Sequence, residues 1–171
     1  LMGADVIKIE SLDGDDSRSI GPFSGHESSY FMSLNRGKRS ISINLKTKKG
    51  IELFKNIAEK SDILIENFSP GVMDRLGVGW DVLKKVNERL IYGSVTGFGK
   101  GSKHSSRPAF DSLIQAASGL ISVTGTKERE FVRVGVSIVD ITTGLYLLSA
   151  VLLALWKREK DSKGCRIDAS M

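Results

Sequence analysis

The sequence predicts an α/β fold, a Rossmann-like, largely parallel sheet with flanking helices. Three observations predict it. Strand-like runs alternate with helical patterns along most of the 171 residues. The run SDILIENF at 61–68 is apolar through its centre, as strands covered on both faces are. A long apolar stretch at 145–156 supplies a helix able to cover such a sheet.

The elements follow in order. ADVIKIE at 4–10 is rich in β-branched residues and reads as a buried strand. Residues 11–26 carry Gly14, Gly21, Pro22 and Gly25 among polar neighbours and read as a loop, followed by a short helical turn over 27–34. A basic turn at 35–39 leads to SISIN at 40–44, whose strict alternation marks a strand. Thr47 is placed to cap a helix over 48–60, with Ile51, Phe54, Ile57 and Ala58 at helical spacing. The strand at 61–68 comes next, and Pro70 opens a short helix that Gly77 ends. A helix over 81–87 precedes the strand at 90–96, which runs into Gly97, Gly99 and Gly101. Residues 110–122 have a helical pattern. VRVGV at 132–136 and the apolar residues behind it read as strand-like. They run to Asp140, the expected first residue of the long helix, and one more strand begins at Cys165.

Composition narrows the function. The net charge is +5, but the basic residues are scattered and not interleaved with aromatics. A small anionic ligand fits better than a nucleic acid. The apolar run at 145–156 is shorter than the roughly 20 residues a membrane span needs, so a core helix is expected and no membrane partner. The single cysteine excludes an internal disulfide and fits a reducing compartment, so a cytoplasmic location is expected, or a mitochondrial one in a eukaryote. The first and last residues both fall inside strand-like runs, so the chain is expected to be an excised part of a longer protein.

Motifs narrow it further. GFGKGS at 97–102 lacks both the GxGxxG spacing and the GK[ST] ending of nucleotide-binding loops. His26 and His104 stand alone in loops, without ligands at metal spacing, so no metal site is expected. There is no GxSxG elbow. Ligands of parallel sheets gather at the carboxyl ends of the strands, here 43–46, 66–69 and 96–99, and these are expected to form one cleft with Asp140. Asp140 itself admits two readings. It is a helix N-cap, for which aspartate is a favoured type, or a rigidly held, partly desolvated carboxylate suited to act as nucleophile or base.

Several blocks in order resemble the class III coenzyme A transferases of the formyl-CoA and carnitine-CoA transferase type. That superfamily also contains α-methylacyl-CoA racemase. The blocks are GADVIKIE, NRGKRSISINLKTKKG, DILIENFSPGVMDRLG, LIYGSVTGFG, RPAFDSLIQAASGLISVTG and VRVGVSIVDITTGLYLLSAVLLAL. The resemblance implies that residues 1–171 are an incomplete large domain of an interlocked homodimer, lacking the first strand and helix and the carboxyl half. It implies acyl-CoA and a small carboxylic acid as substrates, with no tightly bound cofactor. Asp140 stands at the family's catalytic aspartate, which forms an aspartyl-CoA thioester. Ile43, Asn44, Leu45 and Lys46 map to the segment lining the adenine and its phosphate, and Asn67 and Phe68 to the stretch after the next strand. Arg75 maps to a second phosphate-binding cation, and Pro108, Ala109 and Phe110 to a further CoA-contacting segment. The family's glycine-rich loop would lie beyond Met171.

Two other functions remain open at this level, an acyl-CoA racemase or isomerase and an inactive CoA-binding homologue. The racemase branch places a histidine where this chain has Phe110, and phenylalanine cannot transfer a proton. CoA transfer is the expected activity.

Overall fold

The computed structural model describes residues 3–128 and 131–171. Contacts divide the chain into two compact units, one running to Phe54 and the other starting at Lys55.

In the first unit, β1 (Ile7–Glu10) is followed by a 3-10 turn at Asp16–Ser19 and a small hairpin, β2 (Phe23–Ser24) and β3 (Glu27–Ser28). Helix α1 (Ser29–Asn35) and strand β4 (Arg39–Ser42) come next, and β4 pairs parallel to β1 with Ile9 opposite Ile41. Residues 11–26, expected to be loop, are therefore partly ordered. The cause is electrostatic. The Glu10 side chain is only 2% exposed, and Arg18 reaches back across the turn to bond both its oxygens at 2.9 Å. Ser40 donates to the same carboxylate from β4. The Arg18 guanidinium also lies 3.9 Å from the Phe31 ring centre. Ser28 caps α1 by accepting from the Phe31 amide.

Helix α2 (Lys48–Glu59) spans the division between the units. Thr47 caps it as expected, its hydroxyl accepting from the Gly50 amide at 3.1 Å.

The second unit holds β5 (Ile63–Glu66), short helices α3 (Val72–Arg75) and α4 (Trp80–Val86), and β6 (Ile91–Thr96). Then come α5 (Asp111–Ala117), the 24-residue α6 (Ile138–Asp161) and β7 (Cys165–Ser170). Its sheet has the order β5-β6-β7, all parallel. The parallel pairing predicted from sequence is thus divided between this sheet and the β1-β4 pair.

Strand alternation sorts the side chains of this sheet into two faces. Ile63, Ile91, Val95, Cys165, Ile167 and Ala169 pack with Leu147, Val151 and Ala154 of α6. Gly93 shares that face, and a Cβ there would lie 3.1 Å from Leu147 Cδ1, so its missing side chain lets helix and sheet close. Tyr92, Ser94, Arg166 and Asp168 point the other way.

Helix α6 returns the chain from β6 to the parallel neighbour β7, so it runs back over the sheet with its N-terminus at the strands' carboxyl end. At its other end the buried Arg158 donates to the carbonyls of Asp62 and Arg89 and to the Asp62 carboxylate, all at the amino ends of β5 and β6. Asn87 donates to the carbonyls of Ala58, Glu59 and Ser61, closing the C-terminal end of α2.

Two expectations are corrected. VRVGV forms no strand among the described residues, because the Val134 amide bonds the Gln115 side chain in place of a neighbouring backbone. And α6 is only in part a core helix. It buries the stripe Thr143, Leu147, Val151, Ala154 and Arg158, while Leu145, Tyr146, Leu152, Leu153 and Trp156 are exposed. By length and composition it could cross a membrane, which the shorter run 145–156 did not indicate.

Two outcomes follow from this packing. Leu147→Ala should cost about 2–5 kcal/mol in urea unfolding, since it empties the contact between Gly93 and the helix. The Arg18 guanidinium holds the Glu10 carboxyl down at about 2, below its ordinary 4.5. Its stabilisation is therefore complete above pH ~4.5 and lost as pH falls towards 2. Thermal melts from pH 5 to 2 should fall less steeply in Glu10→Gln than in the native chain.

Candidate active site

The carboxyl ends of β5, β6 and β7 border a cleft of about 340 Å³. Its floor is the polar face of the sheet. Tyr92 donates from its hydroxyl to Glu66 at 3.2 Å, and burial, with the Glu66 charge beside it, pushes the phenol well above its ordinary value. Glu66 also accepts from the Phe68 amide at 2.9 Å. Arg166 forks onto Asp168 two residues on, a pair at 2.6–3.0 Å. Phe68, Ser69, Pro70 and Gly71 form one wall, and Gly99, Lys100 and Gly101 another.

The loop after β6 brings the segment 108–110 against the strand end. A Cβ at Gly97 would collide with Ala109 Cβ, so glycine is what allows this approach. Pro108 and Ala109 lie outside any helix or strand. Phe110, in extended backbone and 78% exposed, forms the N-cap position of α5 without a side-chain cap.

Asp140 lies in the first turn of α6, at the same end of the sheet. It does not open the helix. Ile138 does, with Ser137 at the cap position, so the N-cap reading of Asp140 is corrected. Ser137 makes no side-chain cap either. The amides of Val139 and Asp140 instead donate to the Asp111 carboxylate, at 2.8 and 3.3 Å. Among the described residues the Asp140 carboxylate accepts no hydrogen bond, and it is exposed. Partial burial and then the Asp111 charge raise its pKa above the ordinary aspartate value.

The structure brings some of the predicted residues together and not others. Phe68 lines the cleft, while Asn67 and Arg75 are exposed and are not among its lining residues. Asp140 is not among the lining residues of this cleft either. Ile43, Asn44, Leu45 and Lys46 belong to the first unit. There Ile43 is buried, its amide bonding the Glu10 carbonyl, and Asn44 accepts from the Lys46 amide at 3.0 Å in the turn that starts α2. Lys46 itself is exposed. The residue that sequence reading missed is Asp111. An acidic residue opening a helix with a glutamine four positions later, as in DSLIQ, is the only local trace of it.

The family model described as CoA-transferase family III matches residues 2–171. An acetyl-CoA:oxalate CoA-transferase of Acetobacter aceti is 44% identical over 99% of this chain and 44% of its own length. The human succinyl-CoA:glutarate CoA-transferase is 39% identical over 99% of the chain and 39% of its own. A crystal structure of a CAIB/BAIF family protein from Brucella suis superposes with a TM-score of 0.93 at 42% identity, over 98% of this chain and 46% of that one. The chain thus spans less than half the length of these relatives.

Gly97→Val should force Ala109 away from the strand end and shift residues 108–110. The measurable result is altered amide exchange across that segment and at the start of α5, with overall stability lowered by about 1–3 kcal/mol.

Proposed function

Because this chain belongs to CoA-transferase family III, we propose that it carries the reactive carboxylate of an acyl-CoA:carboxylate CoA-transferase, with Asp140 as nucleophile. One observation carries the reading. The backbone amide of Asp140 is held by Asp111 in the first turn of α6, while its carboxylate is, among the described residues, left unpaired, exposed and raised in pKa. A more basic carboxylate is a stronger nucleophile, and one already aligned competes better with water for a thioester.

The chemistry is balanced without a net proton. An Asp140 oxygen attacks the acyl-CoA carbonyl and the CoA thiolate leaves, giving a mixed anhydride. The thiolate attacks the aspartyl carbonyl of that anhydride, releasing the donor acid as its carboxylate and forming an aspartyl-CoA thioester. The acceptor carboxylate then displaces the thiolate to form a second anhydride. Attack of the thiolate on the acceptor carbonyl yields the new acyl-CoA and restores Asp140. Phe110, beside the site, has no proton to exchange, which favours transfer over racemisation.

Coenzyme A enters as a substrate, with no tightly held cofactor. Its recognition falls to Ile43, Asn44, Leu45, Lys46, Asn67, Phe68, Arg75, Pro108, Ala109 and Phe110. The remaining parts of the proposal are an interlocked homodimer as the working form and a cytoplasmic location, mitochondrial in a eukaryote.

Incubating the complete protein with acyl-CoA and hydroxylamine should leave a hydroxamate at Asp140, found by peptide mass. Asp140→Ala should lower exchange between CoA esters and free acids by at least about 10³-fold. Full exchange in that variant would remove Asp140 from the mechanism.

A further inference from the structure

The start of α6 is organised in an unusual way. An α-helix leaves its first amides without intrahelical partners, and here three of them have an identifiable acceptor. Ile138 donates to the Val136 carbonyl at 2.8 Å, while the bond from Ile141 to the Ser137 carbonyl at 3.0 Å is the first within the helix. The two between them, Val139 and Asp140, go to Asp111. These are the amides that a helix's own capping side chain would take. Ser137 is of a favoured capping type and is not used.

Asp111 is itself secured. It is 7% exposed, and its second oxygen accepts from the Gln115 side-chain amide. Gln115 is completely buried, and its own oxygen accepts from the Val134 amide at 2.8 Å. Every side-chain partner of Asp111 among the described residues is a donor, so its carboxylate is used only as an acceptor. The pair Asp111–Gln115 thereby ties α5 to the chain both before and at the start of α6.

The consequence falls on Asp140. Its amide is one of the two that Asp111 holds, so the backbone of residue 140 is fixed from α5, while its carboxylate accepts no hydrogen bond among the described residues.

Building on the reading of Asp140 as nucleophile, we propose that Asp111 is a positioning residue for the reaction. It holds the Asp140 amide, and so the place of residue 140 at the helix start, and is itself fixed by Gln115. Asp111 touches no substrate in this role. Its negative charge is also the one charged neighbour that acts on Asp140 among the described residues.

The test uses the complete protein. In Asp111→Asn the side-chain oxygen can still accept from the two amides, but its NH2 meets the NH2 of Gln115. The charge beside Asp140 is also lost. The expected result is a kcat lower by about ten- to a hundredfold with KM for acyl-CoA within about twofold. The acid limb of the kcat profile moves to lower pH, because removing a like charge lowers the Asp140 pKa. Adding Gln115→Glu restores the donor–acceptor order. The carboxylate then at position 115 accepts both from the side-chain NH2 at position 111 and from the Val134 amide. The double variant should therefore recover most of kcat, and it is read in place of the single one should the single fail to fold. An unchanged kcat and unchanged acid limb in the folded variant overturns the proposal. So does a double variant that folds but recovers nothing. Hydroxylamine trapping in the unaltered protein separates the two levels. No label at Asp140 removes the nucleophile reading, whereas normal labelling with an indifferent Asp111→Asn removes only the role of Asp111.

Discussion

The structure of the second unit depends on how α6 is held. It is fixed at both ends by side chains that bond to backbone groups of another element. Arg158 reaches from the helix to carbonyls at the amino ends of β5 and β6, and Asp111 reaches from α5 to amides of the helix start. Between these anchors the stripe from Thr143 to Ala154 packs on the sheet. Hydrogen bonds to charged groups are worth about 1.5–3 kcal/mol each, and losing one partner of a buried pair costs more. The helix therefore has one axial position on the sheet, and the location of residue 140 follows from it.

The same arrangement separates apolar from polar work. Odd-numbered residues of β6 and β7 build the core with α6, and even-numbered ones line the cleft. A single strand such as β6 thus serves both layers, with Ile91 and Val95 on one face and Tyr92, Ser94 and Thr96 on the other. Within the cleft several polar groups are matched to each other, the Tyr92 hydroxyl to Glu66 and Arg166 to Asp168. Matched pairs of this kind hold a shape more than they attract an ion.

Much of this was legible in the sequence because it is local. The apolar centre of β5, the alternation of β4, the Thr47 cap and the helical spacing of α2 all depend on neighbours within a few residues. Residues 132–136 misled for the same reason. Their alternating valines satisfy the strand pattern, but the amide that would have joined a ladder is taken by Gln115 from another element. Asp140 was identified, yet its local role was misread, since the helix starts two residues earlier and its cap comes from Asp111. No short-range pattern announces a cap delivered across that distance in the chain. The partial ordering of 11–26 depends likewise on the pairing of Arg18 with Glu10, which is visible only once the turn has closed.

The clamp also divides the chain between α5 and α6 into what matters and what does not. Its protein anchors are residues 111 and 115 on one side and 134, 139 and 140 on the other. Among the described residues between them, the side-chain bonds made by Ser122 and Thr124 stay within the segment, to Gly119, Leu120, Ile121 and Val132. Changes to the described residues of this connection therefore leave the anchors, and with them the place of Asp140 on α6, undisturbed.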